Sequence, residues 1–162
     1  MVRDNHESTL THRLITLAKN MPTRKTRWAI SAGESSPSPI DEALKLVHKR
    51  FRIDTPFDTA ILKYYIPADL ERMLPAEKSE AFDWHKDPDE YHDEFGLGMK
   101  KIVLWSLTGF AEFYVKDGNA DFGPLECVPN SALLLPAHMK HRVTPPDPAR
   151  GTRILLFFGQ RT

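Results

Sequence analysis

The chain has 162 residues, which is enough for one domain with a well-buried core but too few for two. It carries 22 Lys and Arg against 22 Asp and Glu, so its formal net charge is zero, and no overall positive field exists to attract nucleic acid or an anionic membrane. Cys127 is the only cysteine in the sequence, which excludes an intramolecular disulfide and a cysteine-rich zinc module. A single cysteine is typical of a reducing compartment.

Two features predict a soluble, cytoplasmic protein. Residues 1–7 are too polar for the hydrophobic part of a secretory signal. The longest apolar run, residues 154–158, is far shorter than a membrane span.

Residues 1–40 differ in composition from the rest of the chain and are interpreted as an N-terminal segment. Leu10, Leu14 and Leu17 have helical spacing and predict a short helix over residues 8–19. The Ser- and Pro-rich stretch that follows predicts a loose connector.

Residues 41–162 are interpreted as a single domain that includes its first supporting helix. That helix is predicted over residues 40–51, with Ser38 as its cap and Pro39 in its first turn. Its apolar residues recur at intervals of three and four and predict one buried face: Ile40, Ala43, Leu44, Val47 and Phe51.

From residue 57 onwards the pattern predicts short strands separated by Gly, Pro, Asn and Asp. The predicted strands are 57–66, 101–107, 110–115, 131–135 and 153–158, and the nearly continuous apolar run at 101–107 is expected of a strand covered on both faces. Asp117-Gly118-Asn119 predicts a tight turn. Short connections favour antiparallel pairing, because parallel strands need crossovers of a dozen or more residues. Two helices before such a half predict a mainly β fold, a jelly roll or sandwich with N-terminal supporting helices.

The tripeptide His85-Lys86-Asp87 is a candidate metal-binding pair. In a strand, side chains at i and i+2 project from the same face, so His85 and Asp87 would converge on one point. They would supply two of the three ligands of the two-histidine, one-carboxylate set that binds Fe(II) with open positions.

The C-terminal half offers a third ligand and an unusual arginine. His141 follows the apolar run near residue 135 and is the favoured third ligand, with His138 as the alternative. Arg153 begins the next apolar strand and would share a face with Leu155 and Phe157. Because burying an unpaired charge is costly, Arg153 predicts an anionic partner, and its planar guanidinium suits a carboxylate.

The order of these motifs resembles the Fe(II)- and 2-oxoglutarate-dependent oxygenases. The similarity covers residues 60–160 and comprises His-X-Asp, an apolar strand leading to His-Arg-Val, a Pro-containing turn and Gly-X-Arg. It implies a double-stranded β-helix (jelly roll) in which Fe(II) is bound by His85, Asp87 and His141. It also implies that Arg153 binds the co-substrate 2-oxoglutarate.

The resemblance further implies that a tyrosine on an early strand contacts the co-substrate, and Tyr64 and Tyr65 are the candidates. One position departs from the family pattern. Many members have Ser or Thr two positions after the arginine, where this chain has Leu155, so Thr152 or a tyrosine would have to replace that contact.

The implied activity is hydroxylation of a C–H bond, coupled to conversion of 2-oxoglutarate to succinate and CO2, with no catalytic residue beyond the metal ligands. The carboxylate at Asp87 disfavours a halogenase, which needs a vacant ligand position. Two alternatives remain: a cupin-like metal enzyme that does not use 2-oxoglutarate, and a non-catalytic β-sandwich binding module.

The predicted partner is a small molecule or a peptide side chain, because little chain remains outside the β core to form a large recognition surface. Zero net charge argues against tight binding of duplex nucleic acid. A basic cluster between Arg13 and Arg27 is interpreted as part of a solvated terminal segment, with contact to RNA or another polyanion as the alternative. The acidic run at residues 87–94 is interpreted as a solvated loop, and Cys127 as a small buried residue.

Overall fold

The computed structural model describes residues 2–30, 33–54, 56–70, 72–73, 75, 82–84, 99–136 and 139–161. The helices of this part of the chain are α1 (Val2–Lys19), α2 (Ser38–Phe51) and α3 (Pro67–Leu70), with a 3-10 helix at Pro148–Arg150. Its strands are β1 (Lys25–Ala29), β2 (Thr59–Tyr65), β3 (Met99–Thr108), β4 (Ala111–Asp117), β5 (Ala120–Cys127), β6 (Ala132–Pro136), β7 (Lys140–Val143) and β8 (Arg153–Arg161).

The strands form two sheets in which every described pair is antiparallel. Five strands pair in the order β1-β2-β8-β3-β6, and three pair in the order β5-β4-β7. After β3 the chain makes β4 and β5 in the smaller sheet, returns to the larger sheet for β6, crosses again for β7 and ends in the larger sheet with β8. Repeated crossing between two antiparallel sheets defines a jelly roll, as the sequence predicts.

The five-stranded sheet is apolar on both faces. One face packs against α1 and α2, where Leu14 and Val103 are fully buried in the same cluster. The opposite face packs against the three-stranded sheet, where Ile102 and Phe113 are buried together. The prediction that the strand at 101–107 is covered on both sides is therefore confirmed.

The two long helices brace the outer face of the larger sheet, as predicted, with differences at their ends. Helix α1 begins at Val2 rather than at residue 8. The prediction that Ser38 caps α2 is wrong, because the N-cap is Pro37 and, within the described residues, no side chain caps the backbone of the first turn. Instead, the hydroxyl of Ser38 accepts a hydrogen bond from Arg13 of α1. The buried residues of α2 lie on the predicted stripe: Ile40, Ala43 and Val47.

Three strands are absent from the sequence prediction, and one of them, β7, carries His141. Strand β1 lies where a loose connector is predicted and pairs along its length with β2 at the edge of the larger sheet. Strand β5 shows no apolar alternation, because seven of its eight residues are exposed and it contains Gly123-Pro124. Edge strands need pairing partners more than they need buried side chains, so their sequence signal is weak.

Two further observations concern the surface. In the basic cluster of the N-terminal segment, Arg13 pairs with Glu42, and the Arg24 guanidinium lies 2.6 Å from the Asp69 carboxylate. These two cations are therefore neutralised within the fold. Within the described ranges, no helix is long and apolar enough to cross a membrane.

Candidate metal and anion site

A group of polar side chains is buried between the two sheets, in an otherwise apolar layer. His141 comes from β7 and Arg153 from the first position of β8, and each is 3% exposed. Ser106 of β3 and Cys127 at the end of β5 are each 2% exposed. Tyr65, the last residue of β2, packs against the same layer. Five strands of the larger and smaller sheets thus contribute polar groups to one region.

His141 is held by a hydrogen bond and a ring contact. Its Nδ1 lies 3.0 Å from the carbonyl oxygen of Met139. Because a carbonyl can only accept, Nδ1 carries the proton and Nε2 carries the lone pair that a metal would require. The imidazole also stacks on Phe113, with ring centroids 5.3 Å apart. This arrangement sets both the tautomer and the ring orientation of a potential metal ligand.

The strand assignment of His141 differs from the sequence prediction. The preceding apolar strand, β6, ends at Pro136 in the larger sheet. His141 lies in its own short strand, β7, which pairs with β4 in the smaller sheet. The histidine therefore reaches the interior from the sheet opposite Arg153 rather than from the end of the preceding strand.

Arg153 is a buried cation that no described neighbour neutralises. Burial lowers the pKa of its guanidinium, and the nearby Cys127 and Tyr65 side chains offset only part of this effect. Its Nε atom has no hydrogen-bond partner within the described part of the chain. Among the residues that the structure describes, no carboxylate pairs with it. A buried guanidinium in this state indicates a position for an anion.

The backbone on both sides of Arg153 is fixed by the end of β3. The Thr108 hydroxyl donates to the Thr152 carbonyl at 2.8 Å and accepts from the Ile154 amide at 3.1 Å. Gly109 has a φ of +79°, and a Cβ at this position would lie 2.7 Å from the Arg153 Cα. The close approach requires glycine, so the loop after β3 holds the arginine in place.

Only one of the two candidate tyrosines faces the interior. Tyr65 lies directly opposite Arg153 in the β2–β8 register, and cross-strand partners project from the same face of a sheet. Tyr64 faces the helix side, where its ring lies 4.8 Å from the Arg24 guanidinium. The structure therefore favours Tyr65 and places Tyr64 away from Arg153.

Lys63 is an interior residue that the sequence analysis missed. It shares the face of β2 that carries Ile61 and Tyr65, and its ammonium lies 6.0 Å from the Tyr65 ring centroid. The alternation Ile61, Lys63, Tyr65 was a usable signal, because the period of a strand is two. Lys63 is half-buried and adds a second positive charge on the side of Tyr65 and Arg153.

Cys127 is buried, as predicted, and its thiol also interacts with polar neighbours. Burial raises the pKa of its thiol, and the charge of Arg153 together with hydrogen bonds from Ser106 and Arg153 offsets part of that rise. Leu155, where the resemblance to the oxygenases implies Ser or Thr, is 3% exposed and apolar. Among the described residues, the polar side chains that interact with Arg153 are the Cys127 thiol and the Tyr65 phenol.

The predicted first ligands lie outside the described residues. This applies to His85 and Asp87, to the alternative distal ligand His138, and to the acidic run at 87–94. Within the described part of the chain, no three His, Cys, Asp or Glu side chains are grouped closely enough to hold a metal. The three-ligand set remains a prediction, of which the structure describes the His141 member.

No protein-family model matches the chain, and no curated protein matches it. Among solved structures, it is similar to OsALKBH1, with a TM-score of 0.49 and 16% identity over 78% of this chain and 65% of that chain. It is also similar to hydroxypropylphosphonic acid epoxidase from S. wedmorenis, with a TM-score of 0.40 and 10% identity over 62% of this chain and 42% of that chain. A third is a protein assigned as a mannose-6-phosphate isomerase from Ralstonia eutropha JMP134, with a TM-score of 0.36 and 18% identity over 63% and 71% of the two chains.

The chain spans about two fifths of the length of the epoxidase and about two thirds of the length of OsALKBH1. Every one of these TM-scores is below 0.5. The jelly-roll assignment therefore rests on the strand order of this chain itself.

Proposed function

We propose that this protein is an Fe(II)- and 2-oxoglutarate-dependent dioxygenase that hydroxylates a C–H bond of a small molecule or peptide side chain, with release of succinate and CO2. The observation that carries the proposal is the guanidinium of Arg153, which is 3% exposed and has no carboxylate partner among the described residues. A dicarboxylate that binds a metal with one end has a second carboxylate, which needs such a cation.

The donor types fit Fe(II). Two imidazoles and a carboxylate form the facial set that leaves three positions open, and the contact of His141 Nδ1 with a backbone carbonyl selects the tautomer that such a ligand needs. His85 and Asp87 supply the other two ligands in this proposal, on the strength of their spacing in the sequence. When bound, iron supplies the oxygen-activating redox chemistry that no protein side chain provides.

The residues around the site bind and orient the co-substrate. Arg153 holds the distal carboxylate with its planar fork, and the phenol of Tyr65 directly opposite provides a second contact. This role for Tyr65 explains how the family contact is replaced where the chain has Leu155. Phe113 and Phe157, which are buried beside these groups, exclude water and strengthen the charge interaction.

Calorimetry tests the proposal and separates it from the two alternatives. Mn(II) and then 2-oxoglutarate are titrated under argon, so that no turnover occurs. The proposed enzyme binds both. A cupin-like enzyme that does not use 2-oxoglutarate binds only the metal, and a non-catalytic β-sandwich module binds neither.

Four single variants then test the ligand set by Mn(II) affinity. We expect His85→Ala, Asp87→Ala and His141→Ala to lose metal binding, and His138→Ala to keep it. The reverse result for the last two variants would make His138 the distal ligand. If all four variants keep the metal, the proposed metal site is wrong. Release of succinate in the presence of Fe(II), O2 and candidate substrates then identifies the substrate class.

A further inference from the structure

A stack of aromatic rings and cations lies on the outer face of the three-stranded sheet. The Arg142 guanidinium is 4.4 Å from the ring centroid of Tyr114 and 5.5 Å from that of Trp84. The Lys116 ammonium is 4.8 Å from the Trp84 centroid. Tyr114 and Arg142 are cross-strand partners in the β4–β7 register, and Lys116 is the next outward residue of β4. Trp84 therefore contacts two strands through two cations.

The position of this stack in the sequence is informative. Trp84 immediately precedes His85, and Arg142 immediately follows His141. The contact thus joins the two distant parts of the chain that carry the proposed metal ligands. Fixing Trp84 on β7 fixes the point from which the His85-Lys86-Asp87 tripeptide starts.

A second contact anchors the same short segment to the other sheet. The ring of Phe82 lies 6.0 Å from that of Tyr65, at the end of β2. Residues 82–84 therefore contact both sheets of the jelly roll. Phe82 contacts the larger sheet at Tyr65, and Trp84 contacts the smaller sheet at Arg142 of β7. Two anchors on opposite sheets restrict the segment more than either would alone.

We propose that Trp84, Arg142, Tyr114 and Lys116 form a cation–aromatic clamp that positions the His85–Asp87 ligand pair relative to His141. The inference rests on the proposed function, since it needs that ligand set. The four side chains are positioning residues, because none of them is among the proposed metal ligands or co-substrate contacts. They restrict the ligand pair before the metal binds, so the pair loses less conformational entropy on binding.

The magnitude follows from the strength of cation–π contacts. Tryptophan is the best aromatic partner for a cation, and one contact contributes about 0.5–2 kcal/mol, which corresponds to roughly 2- to 30-fold in affinity. Trp84 makes two such contacts. We therefore expect Trp84→Leu to weaken Mn(II) binding by about 10-fold or more.

Conservative variants distinguish this role from simple packing. Trp84→Phe keeps an aromatic face and should retain most of the metal affinity. Arg142→Lys keeps a cation, whereas Arg142→Met keeps only the apolar stem and should weaken Mn(II) binding like Trp84→Leu. Because both substitutions break the same contact, the Trp84→Leu/Arg142→Met double variant should lose less than the product of the two single effects.

A matched control is available in the same molecule. The Arg150 guanidinium lies 5.1 Å from the Phe110 ring centroid, which is a similar contact that adjoins none of the proposed ligands. Arg150→Met should leave Mn(II) affinity unchanged. The thermal midpoint of each metal-free variant is measured alongside. A clamp that acts on the ligand pair should weaken Mn(II) binding while leaving this midpoint close to that of the wild type.

The outcomes separate failure of the clamp from failure of the proposed function. If His85→Ala, Asp87→Ala and His141→Ala abolish Mn(II) binding while Trp84→Leu and Arg142→Met do not weaken it, the clamp is wrong and the site stands. If the three ligand variants bind Mn(II) normally, the proposed function fails and the clamp with it. If Trp84→Leu does not fold, Arg142→Met against Arg142→Lys decides the clamp, and equal affinities would overturn it.

Discussion

Replacing Arg153 by methionine should have opposite effects on stability and on ligand binding. The side chain is 3% exposed, its Nε has no hydrogen-bond partner among the described residues, and burial lowers the pKa of its guanidinium. In the protein without 2-oxoglutarate, the buried charge is therefore a cost to folding. Methionine keeps the unbranched apolar stem without the charge, so Arg153→Met should raise the free energy of unfolding of the ligand-free protein.

The expected size follows from the cost of burying an ion. The effective penalty in proteins is several kcal/mol, of which Cys127 and Tyr65 offset a part, so we expect a net gain of at least about 1 kcal/mol. For a chain of 162 residues, that gain raises the thermal midpoint by about 2–4 °C. Removing one partner of a buried charge pair costs about 2–5 kcal/mol of binding, so 2-oxoglutarate affinity should fall by roughly 30-fold or more.

Thermal unfolding with saturating Mn(II), with and without 2-oxoglutarate, measures both effects together. At a ligand concentration about 100 times the wild-type dissociation constant, the wild-type protein gains about 2.7 kcal/mol. A 30-fold weaker variant gains only about 0.9 kcal/mol at the same concentration. Mn(II) affinity should not change in Arg153→Met, because the guanidinium is not a ligand.

Two comparisons make the result decisive. Arg150→Met removes an exposed guanidinium three positions away and should change neither quantity. Arg153→Lys should recover part of the binding, since an ammonium keeps the charge but not the planar fork. Unchanged 2-oxoglutarate affinity in Arg153→Met would refute the role of this residue. A large loss of ligand-free stability would show instead that the guanidinium is held by its protein neighbours and awaits no anion.

Three further predictions concern the surroundings of the same residue. Tyr65→Phe should weaken 2-oxoglutarate binding, measured by calorimetry, by roughly 5- to 10-fold, as expected for one lost hydrogen bond of about 1 kcal/mol or more. Tyr64→Phe should leave this affinity unchanged, because the Tyr64 ring faces the helices. Gly109→Ala should lower both the thermal midpoint and 2-oxoglutarate affinity, because the new Cβ would lie 2.7 Å from the Arg153 Cα. An affinity equal to that of the wild type would show that β8 can move without cost. Burial raises the pKa of the Cys127 thiol, so above about pH 8.5 the unfolded chain releases the thiol proton before the folded chain does. The free energy of unfolding therefore falls as pH rises. Urea unfolding from pH 7 to 10 should show a smaller fall in Cys127→Ala than in the wild type.

Local patterns in the sequence were sufficient for much of the scaffold. The apolar spacing of α2 identified its buried face, and the run at 101–107 identified a strand covered on both sides. The turn at 117–119 lies where β4 meets β5, with Gly118 at a φ of +60°. These features depend on the period of one element or on the conformation of one residue, and both are written in a few neighbouring positions.

The position of Arg153 in the interior also follows from its own strand. A charged residue at the start of an apolar run must either leave the core or find a partner in it, and alternation with Leu155 and Phe157 places all three on one face. The structure buries the three residues, as that pattern predicts. The chemistry of one residue and the period of one strand were enough for this inference.

Other features of the site depend on which strands become neighbours, and only the folded chain decides that. Tyr64 and Tyr65 are equivalent in the sequence, and the β2–β8 register separates them by placing Tyr65 opposite Arg153. Cys127 and Arg153 meet only because their strands belong to sheets that face each other. Strand β1 is formed by its pairing with β2 rather than by its own side chains. Register and sheet packing arise from contacts between distant segments, so no local period records them.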